Sequence, residues 1–181
     1  MPEAFNFGFD VVDEWLASIR EACARMVRRS RRGAHLHVRR LVEAVEPGAN
    51  AFRKLGIGKG DVVHDDPAPS LGILGVRRGA VQAGRHHHPA SLQLTKKDIV
   101  YRADSAQVKA VVCVNDEYVC GQMEEALPES PSIENRIIVA GERDGWTPFD
   151  QLIEGESDEF ERPRGEAGVT SKDIMLIYFT S

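Results

Sequence analysis

The stretch Ala49-Asn50-Ala51-Phe52-Arg53-Lys54-Leu55-Gly56-Ile57-Gly58-Lys59-Gly60-Asp61-Val62-Val63 combines the end of a helix, a glycine turn and the start of a strand. Apolar side chains with a lysine in the last turn are typical of a helix C-terminus, and Gly56 and Gly58 end that helix. Asp61-Val62-Val63 then favours a strand. Helices that alternate with apolar strands build α/β domains, so this stretch predicts the fold class.

The sequence on both sides continues the alternation. Apolar residues at i, i+4 spacing predict a helix over residues 8–24, and Thr95 and Asp116 are placed to cap helices that reach about Ala106 and Leu127. Thr147 is expected to cap a short helix that has Pro148 at its first position. The predicted strands are residues 109–114, 136–140 and 173–179, with a surface loop over 155–171. We expect one α/β domain over residues 1–181, with a mainly parallel sheet and flanking helices.

Composition and charge exclude several classes of protein. The 181 residues can bury a core, and a net charge of -5 argues against general affinity for nucleic acid or anionic membranes. No apolar run approaches the roughly 18 residues of a membrane span. Cys23, Cys113 and Cys120 form no CxxC pair, which predicts free thiols. Together with an acidic, aromatic N-terminus unlike a targeting peptide, this predicts a cytoplasmic location.

Two blocks, residues 25–47 and 64–89, depart from the rest of the sequence. They hold all six histidines, and residues 25–40 hold seven arginines, whereas no lysine precedes Lys54. A metal site is one interpretation, but neighbouring histidines such as His86-His87-His88 cannot all converge on one ion. A nucleic-acid patch is another, but no aromatic residues are interleaved with the arginines. We therefore expect neither a metal site nor a nucleic-acid partner.

The ordinary sequence between these blocks resembles the medium-chain acyl-CoA synthetases of the adenylate-forming superfamily. The resemblance rests on residues 2–15, on residues 49–63, on Pro89-Ala90-Ser91-Leu92-Gln93-Leu94-Thr95 with the residues that follow, on Gly145-Trp146, and on Asp173-Ile174-Met175-Leu176-Ile177-Tyr178-Phe179-Thr180-Ser181. These stretches occur in the order found in the family. The chain is thus identified as the N-terminal part of an AMP-binding domain.

The resemblance implies an activity and site residues. The family joins a fatty acid to CoA through an acyl-adenylate, with ATP and Mg²⁺, and releases AMP and pyrophosphate. Thr180 and Ser181 are similar to the first residues of its ATP phosphate loop, which continues Gly-Thr-Thr/Ser-Gly-x-Pro-Lys, and Gln93 aligns with a CoA contact. No catalytic residue is assigned. Because the sequence ends at Ser181, we expect a truncated, inactive fragment that binds none of ATP, Mg²⁺ or CoA.

The two unusual blocks are consistent with out-of-frame translation. Three His codons before a Pro codon, displaced by one base, encode only Thr or Ile, so residues 83–89 can become Leu-Gly-Ala-Thr-Ile-Ile-Pro. That reading resembles a strand of the family. The alternative is a genuine basic, His-rich insertion.

A non-enzymatic product is the competing functional class. The chain could be a truncated gene remnant, or a small binding module whose basic and His-rich insertions are real. In the first case, apolar faces left uncovered would favour self-association.

Overall fold

A five-stranded parallel sheet organises the domain. The computed structural model describes residues 4–6, 8–14, 45–65, 86–89 and 93–179, with residues 86–89 described as backbone alone. The strands are β1 (Val62–Asp65), β2 (His86–Pro89), β3 (Val108–Val114), β4 (Asn135–Val139) and β5 (Thr147–Pro148). Their order across the sheet is β2-β1-β3-β4-β5, and every adjacent pair is parallel. The α/β prediction is confirmed.

Among the described residues, four α-helices flank the sheet. They are α1 (Val45–Lys54), α2 (Lys96–Ala106), α3 (Glu117–Ala126) and α4 (Phe149–Ile153). A π-helical turn covers Gly8–Asp13, and 3-10 turns cover Leu127–Glu129 and Gly165–Ala167. Within the described ranges, no helix has the length and apolar character needed to cross a membrane.

Capping residues fix where α2 and α3 begin. Thr95 pairs with Asp98, whose Oδ2 accepts from the Thr95 backbone N at 3.1 Å and from its hydroxyl at 2.6 Å. The carboxylate of Asp116 accepts from the backbone N atoms of Tyr118 and Val119 at 3.0 and 3.1 Å. Both predicted caps are therefore confirmed.

The two faces of the sheet bury different residues, as period-2 alternation requires. Val111 and Cys113 of β3 belong to a cluster with α2 and α3, whereas Ala110 and Val112 belong to a cluster with α1 and α4. The first cluster also contains Ile99, Cys120, Met123, Ile138 and Trp146, and the second contains Phe52, Ile57, Val63, Ile137 and Phe149. The domain is thus a three-layer α/β/α sandwich. Cys113 and Cys120 are buried and are not joined in a disulfide, whereas Cys23 lies outside the described residues.

The structure corrects several boundaries. Thr147 does not cap α4: Thr147 and Pro148 pair with Ile137 and Ile138 as β5, so the N-cap is Pro148. Of the predicted helix over 8–24, the described part is a π-helical turn over Gly8–Asp13 followed by α-helical Glu14, and residues 15–24 lie outside the described residues. Val11, one of the apolar residues of that pattern, is 40% exposed.

Parts of the two unusual blocks belong to the regular fold. α1 begins at Val45, inside the first block, and β1 extends to Asp65, inside the second. His86–Pro89 forms β2, which pairs with β1 in the register His64↔His88. β2 therefore takes its place in the sheet despite its unusual composition, because a backbone ladder depends on main-chain groups and tolerates most side chains. Residues 25–44 and 66–85 lie outside the described residues, so the frame hypothesis stays a prediction.

Candidate functional site

The predicted phosphate-binding residues Thr180 and Ser181 lie just beyond the described residues, which end at Phe179. The residues that lead to them, 173–179, are called the approach segment below. This segment was predicted to be a strand, but in the described structure it carries a single bridge, at Leu176. Its apolar alternation keeps the chain extended, yet a ladder also requires a partner strand along its whole length. The prediction of a regular strand is wrong.

One side of the approach segment packs on the domain, and the other faces solvent. Ile174 and Tyr178 are 56% and 67% exposed, and Leu176 between them is 36% exposed. Ile177 packs against the core cluster on the α2–α3 side of the sheet, and Phe179 is half-buried. The segment is therefore seated along one face only.

Helix α2 holds the far end of the approach segment. The rings of Tyr101 and Phe179 meet edge to face at 5.8 Å between centroids. The guanidinium carbon of Arg102 lies 5.4 Å from the centroid of the Phe179 ring, a cation–π distance. These contacts place Phe179 beside a positive charge, and Thr180 is the next residue along the chain.

Lys59, in the turn between α1 and β1, holds the near end. Its Nζ lies 3.0 Å from Asp173 Oδ2 and donates to the Gly168 carbonyl at 2.7 Å. Asp173 Oδ2 also accepts from the Thr170 backbone N at 2.6 Å and from the Thr170 hydroxyl at 3.0 Å. The backbone hydrogen bond from Thr170, followed by the Lys59 contact, lowers the pKa of Asp173 from its ordinary value. Asp173 is thus held as a carboxylate.

Gln93, the predicted CoA contact, is exposed in a turn directly before the Thr95 cap of α2. Tyr101 lies on this helix, about 9 Å from Thr95 along the helix axis at 1.5 Å per residue. A shallow groove of about 400 Å³ lies along α2, lined by Lys96, Lys97, Val100, Tyr101 and Glu129. Lys96 pairs with Glu129 at 2.6 Å, which raises the pKa of the lysine. Gln93 therefore lies just before the helix whose residues Tyr101 and Arg102 contact Phe179.

Sequence reasoning did not identify Lys59, Tyr101 and Arg102 as site residues. Tyr101 and Arg102 stand in a stretch that resembles the family, but their contact with Phe179 spans more than seventy residues of sequence. No local pattern reports such a contact.

In the part of the chain that the structure describes, no three His, Cys, Asp or Glu side chains are grouped so that they could hold a metal ion. Mg²⁺ prefers carboxylate and phosphate oxygens. The described residues thus do not fit a protein-held Mg²⁺ site.

Comparison with known proteins places these features in a family. The family model described as AMP-binding enzyme matches residues 18–181. Acyl-coenzyme A synthetase ACSM4, mitochondrial, of Rattus norvegicus is 28% identical over 193 residues, and acyl-coenzyme A synthetase ACSM2A, mitochondrial, of Homo sapiens is 30% identical over 194 residues. Each alignment covers 100% of this chain and 32% of the relative. The chain thus spans about a third of the length of these relatives.

Solved structures show the same fold. The crystal structure of the anthranilate CoA ligase AuaEII in complex with anthranoyl-AMP superimposes with a TM-score of 0.71 at 16% identity, covering 80% of this chain and 27% of that one. A benzoate CoA ligase from Burkholderia xenovorans LB400 superimposes with a TM-score of 0.57 at 22% identity, covering 66% and 23%. At these identities the likeness is one of fold alone.

Proposed function

Because the chain belongs to the AMP-binding enzyme family, we propose that it contributes the N-terminal part of an AMP-forming fatty acid–CoA ligase. In this reaction a carboxylate oxygen of the fatty acid attacks the α-phosphorus of ATP, and pyrophosphate leaves. The CoA thiol then attacks the acyl carbon of the adenylate, and AMP leaves. The names of the acyl-coenzyme A synthetase relatives support an acyl substrate and the CoA thiol, and the choice of a fatty acid rests on the sequence resemblance.

The observation that carries the proposal is the approach segment, which is held at both ends. Lys59 fixes its start at Asp173, and Tyr101 and Arg102 seat Phe179 at its end. Thr180 and Ser181 follow this segment directly in the sequence, and their hydroxyls are proposed to donate to ATP phosphate oxygens. Positioning of this kind supplies much of the catalysis in phosphoryl and adenylyl transfer.

Helix α2 is proposed to serve the second substrate as well. Gln93 precedes the helix and is exposed, which suits an amide contact with CoA. ATP and CoA are therefore proposed as substrates of the complete machinery. Mg²⁺, when bound to ATP, would neutralise phosphate charge, and no described residue is assigned to it.

The 181 residues by themselves are proposed to be inactive. They span 32% of the relatives' length, and two hydroxyls cannot hold a triphosphate at useful affinity. The exposed side chains Ile174, Leu176, Tyr178 and Tyr101 are proposed to favour self-association in solution. A cytoplasmic location remains a proposal that rests on the sequence.

An AMP-release assay tests both parts of the proposal. The purified chain with ATP, CoA and octanoate is expected to release no AMP above a protein-free blank, with human ACSM2A as the positive control. A chimera in which this chain replaces the matching third of ACSM2A is expected to release AMP only when octanoate is present.

The chimera offers a matched pair of variants. The double substitution Thr180→Ala and Ser181→Ala should lower kcat/KM for ATP at least tenfold, whereas Ser171→Ala, at an exposed position, should not. A folded chimera without activity, or with activity unaffected by the double substitution, would contradict the proposal. Such a result would favour the non-enzymatic module.

A further inference from the structure

A long loop, residues 154–173, runs over the edge of helix α1 and is called the strap below. The side-chain amide of Asn50 donates to two strap carbonyls, Ser157 O at 2.9 Å and Glu159 O at 3.0 Å. Asn50 is 5% exposed, so its amide is buried and its two donors are spent on the strap. Lys54 Nζ adds an ion pair with Glu156 at 2.7 Å. The strap is therefore held by the polar edge of α1.

Arg162 connects the middle of the strap to the N-terminal residues. Its two Nη atoms donate to the two carboxylate oxygens of Asp10 at 2.6 and 2.7 Å, and Nη2 also donates to the Ala4 carbonyl at 2.7 Å. This is the bidentate geometry in which an arginine–carboxylate pair is strongest. The guanidinium carbon also lies 5.3 Å from the centroid of the Phe9 ring.

Aromatic packing extends this contact. The rings of Phe9 and Phe160 stack at 6.3 Å with an interplanar angle of 13°, and the Arg53 guanidinium lies 5.6 Å from the Phe160 centroid. Charged, aromatic and backbone groups of the N-terminal turn therefore all meet the strap within a few residues of Arg162. The strap then ends at Asp173, the residue that Lys59 holds and from which the approach segment starts.

We infer that Arg162 is a clasp through which the described N-terminal residues, 4–6 and 8–13, fix the strap and, through it, the approach segment. When Arg162 is paired with Asp10, the strap is fixed at α1, at Asp10 and at Lys59. The approach segment then starts from an Asp173 that is held in place. When the contact between Arg162 and Asp10 is broken, the strap loses its middle attachment. The strap then moves more freely, and this added motion extends to residues 174–179. The consequence for the position of Thr180 and Ser181 rests on the proposed function, whereas the clasp itself does not.

Amide hydrogen exchange of the 181-residue chain tests the clasp without any nucleotide. Arg162→Ala is compared with Arg164→Ala, which removes the same charge from an exposed strap position. In Arg162→Ala, peptides covering residues 4–13, 155–162 and 174–179 are expected to exchange at least about tenfold faster, while β3 and β4 peptides keep their rates. Arg164→Ala should leave all of them unchanged.

Two outcomes would overturn the inference. An unchanged exchange rate in residues 155–162 would show that Arg162 does not fix the strap. Faster exchange in residues 155–162 with an unchanged rate in residues 174–179 would show that the strap does not control the approach segment. Asp10→Asn gives a milder variant should Arg162→Ala fail to fold, and it should accelerate the same peptides. Arg162→Ala combined with Asp10→Asn should be no faster than Arg162→Ala alone, and additive acceleration would show that the two residues act independently. Because the exchange experiment uses no nucleotide, it can contradict the clasp without contradicting the ligase proposal, which the AMP-release assay tests.

Discussion

Trp146 and Glu124 are joined by a hydrogen bond of 2.8 Å from the indole Nε1 to the carboxylate Oε1, which ties the β4–β5 connection to helix α3. Arg143 donates to the same carboxylate from Nε at 2.6 Å and from Nη2 at 3.0 Å. Trp146 is 7% exposed and belongs to the core on the α2–α3 side. The carboxylate of Glu124 is therefore the point at which this connection is fixed to the core.

Trp146→Phe should destabilise the domain. The change removes the indole donor and part of a buried ring, and we expect a loss of about 2 kcal/mol in the free energy of unfolding. Urea denaturation followed by circular dichroism measures this loss. Glu117→Gln is the control, because the Glu117 side chain is 91% exposed and pairs with the outer Nη1 of Arg143 at 3.0 Å. No measurable loss is expected for it, and equal losses in the two variants would contradict the assignment.

The stability of the domain should fall at acid pH, and Glu124 should account for part of the fall. The hydrogen bonds from Arg143, aided by Trp146, lower the pKa of Glu124 from its ordinary value of 4.5. Since the folded-state pKa is depressed, this stabilisation is complete above the ordinary value and is lost as the pH falls through the lowered one. Urea unfolding at several pH values between 7 and 3 should therefore show a smaller acid loss in Glu124→Gln than in the wild type. If the free energy of unfolding falls equally with pH in both proteins, the prediction is wrong.

The elements that sequence reasoning identified correctly are those whose signals are local. Thr95 with Asp98 and Asp116 with the two amides beyond it act within one helical turn, so their caps could be recognised by spacing alone. The strand at Lys109–Val114 was visible because a strand buried on both faces is continuously apolar. The parallel arrangement followed from the alternation of strands and helices.

The remaining features depend on partners that are distant in sequence. The Arg162–Asp10 contact spans 152 residues and the bond from Asn50 to Ser157 spans 107, so no window of sequence reports either. The approach segment has the apolar alternation of a strand, but pairing is decided by neighbours. For the same reason His86–Pro89 forms β2 against its composition, because β1 supplies the ladder.

Ile138→Ala should strongly destabilise the domain. Ile138 has no exposed surface and lies in the interior strand β4, where it is paired with both β3 and β5. Truncation leaves a cavity that neighbouring strands cannot close, and we expect a loss of about 3 kcal/mol. Ile174→Ala deletes the same atoms at a site that is 56% exposed, and its effect should stay within about 0.5 kcal/mol. Comparable losses would show that the approach segment is buried in solution, for example by self-association.

Ser130→Ala should be neutral or stabilising. The Ser130 hydroxyl is buried and finds no hydrogen-bond partner among the residues that the structure describes. Its removal abolishes a desolvation cost, so we expect a gain of up to about 1 kcal/mol. Ser132→Ala is the matched control, because the Ser132 hydroxyl lies 3.4 Å from the Ala103 carbonyl and its loss should cost slightly. Thermal unfolding distinguishes the expected gain in stability of Ser130→Ala from the expected loss in Ser132→Ala. A clear loss of stability in Ser130→Ala would show that its hydroxyl has a hydrogen-bond partner.

Lys59→Met should loosen the start of the approach segment without unfolding the sheet. The variant keeps the length of the side chain but removes the contacts with Asp173 and with the Gly168 carbonyl. Because Lys59 and Asp173 are only 28% and 24% exposed, this pair is screened less by salt than a surface pair. Amide exchange in residues 168–179 should therefore accelerate severalfold in Lys59→Met, both at 0.1 M and at 0.5 M salt. Lys172→Met changes a neighbouring exposed lysine and should have no such effect; acceleration in both variants would mean that net charge, and not the contact with Asp173, controls the segment.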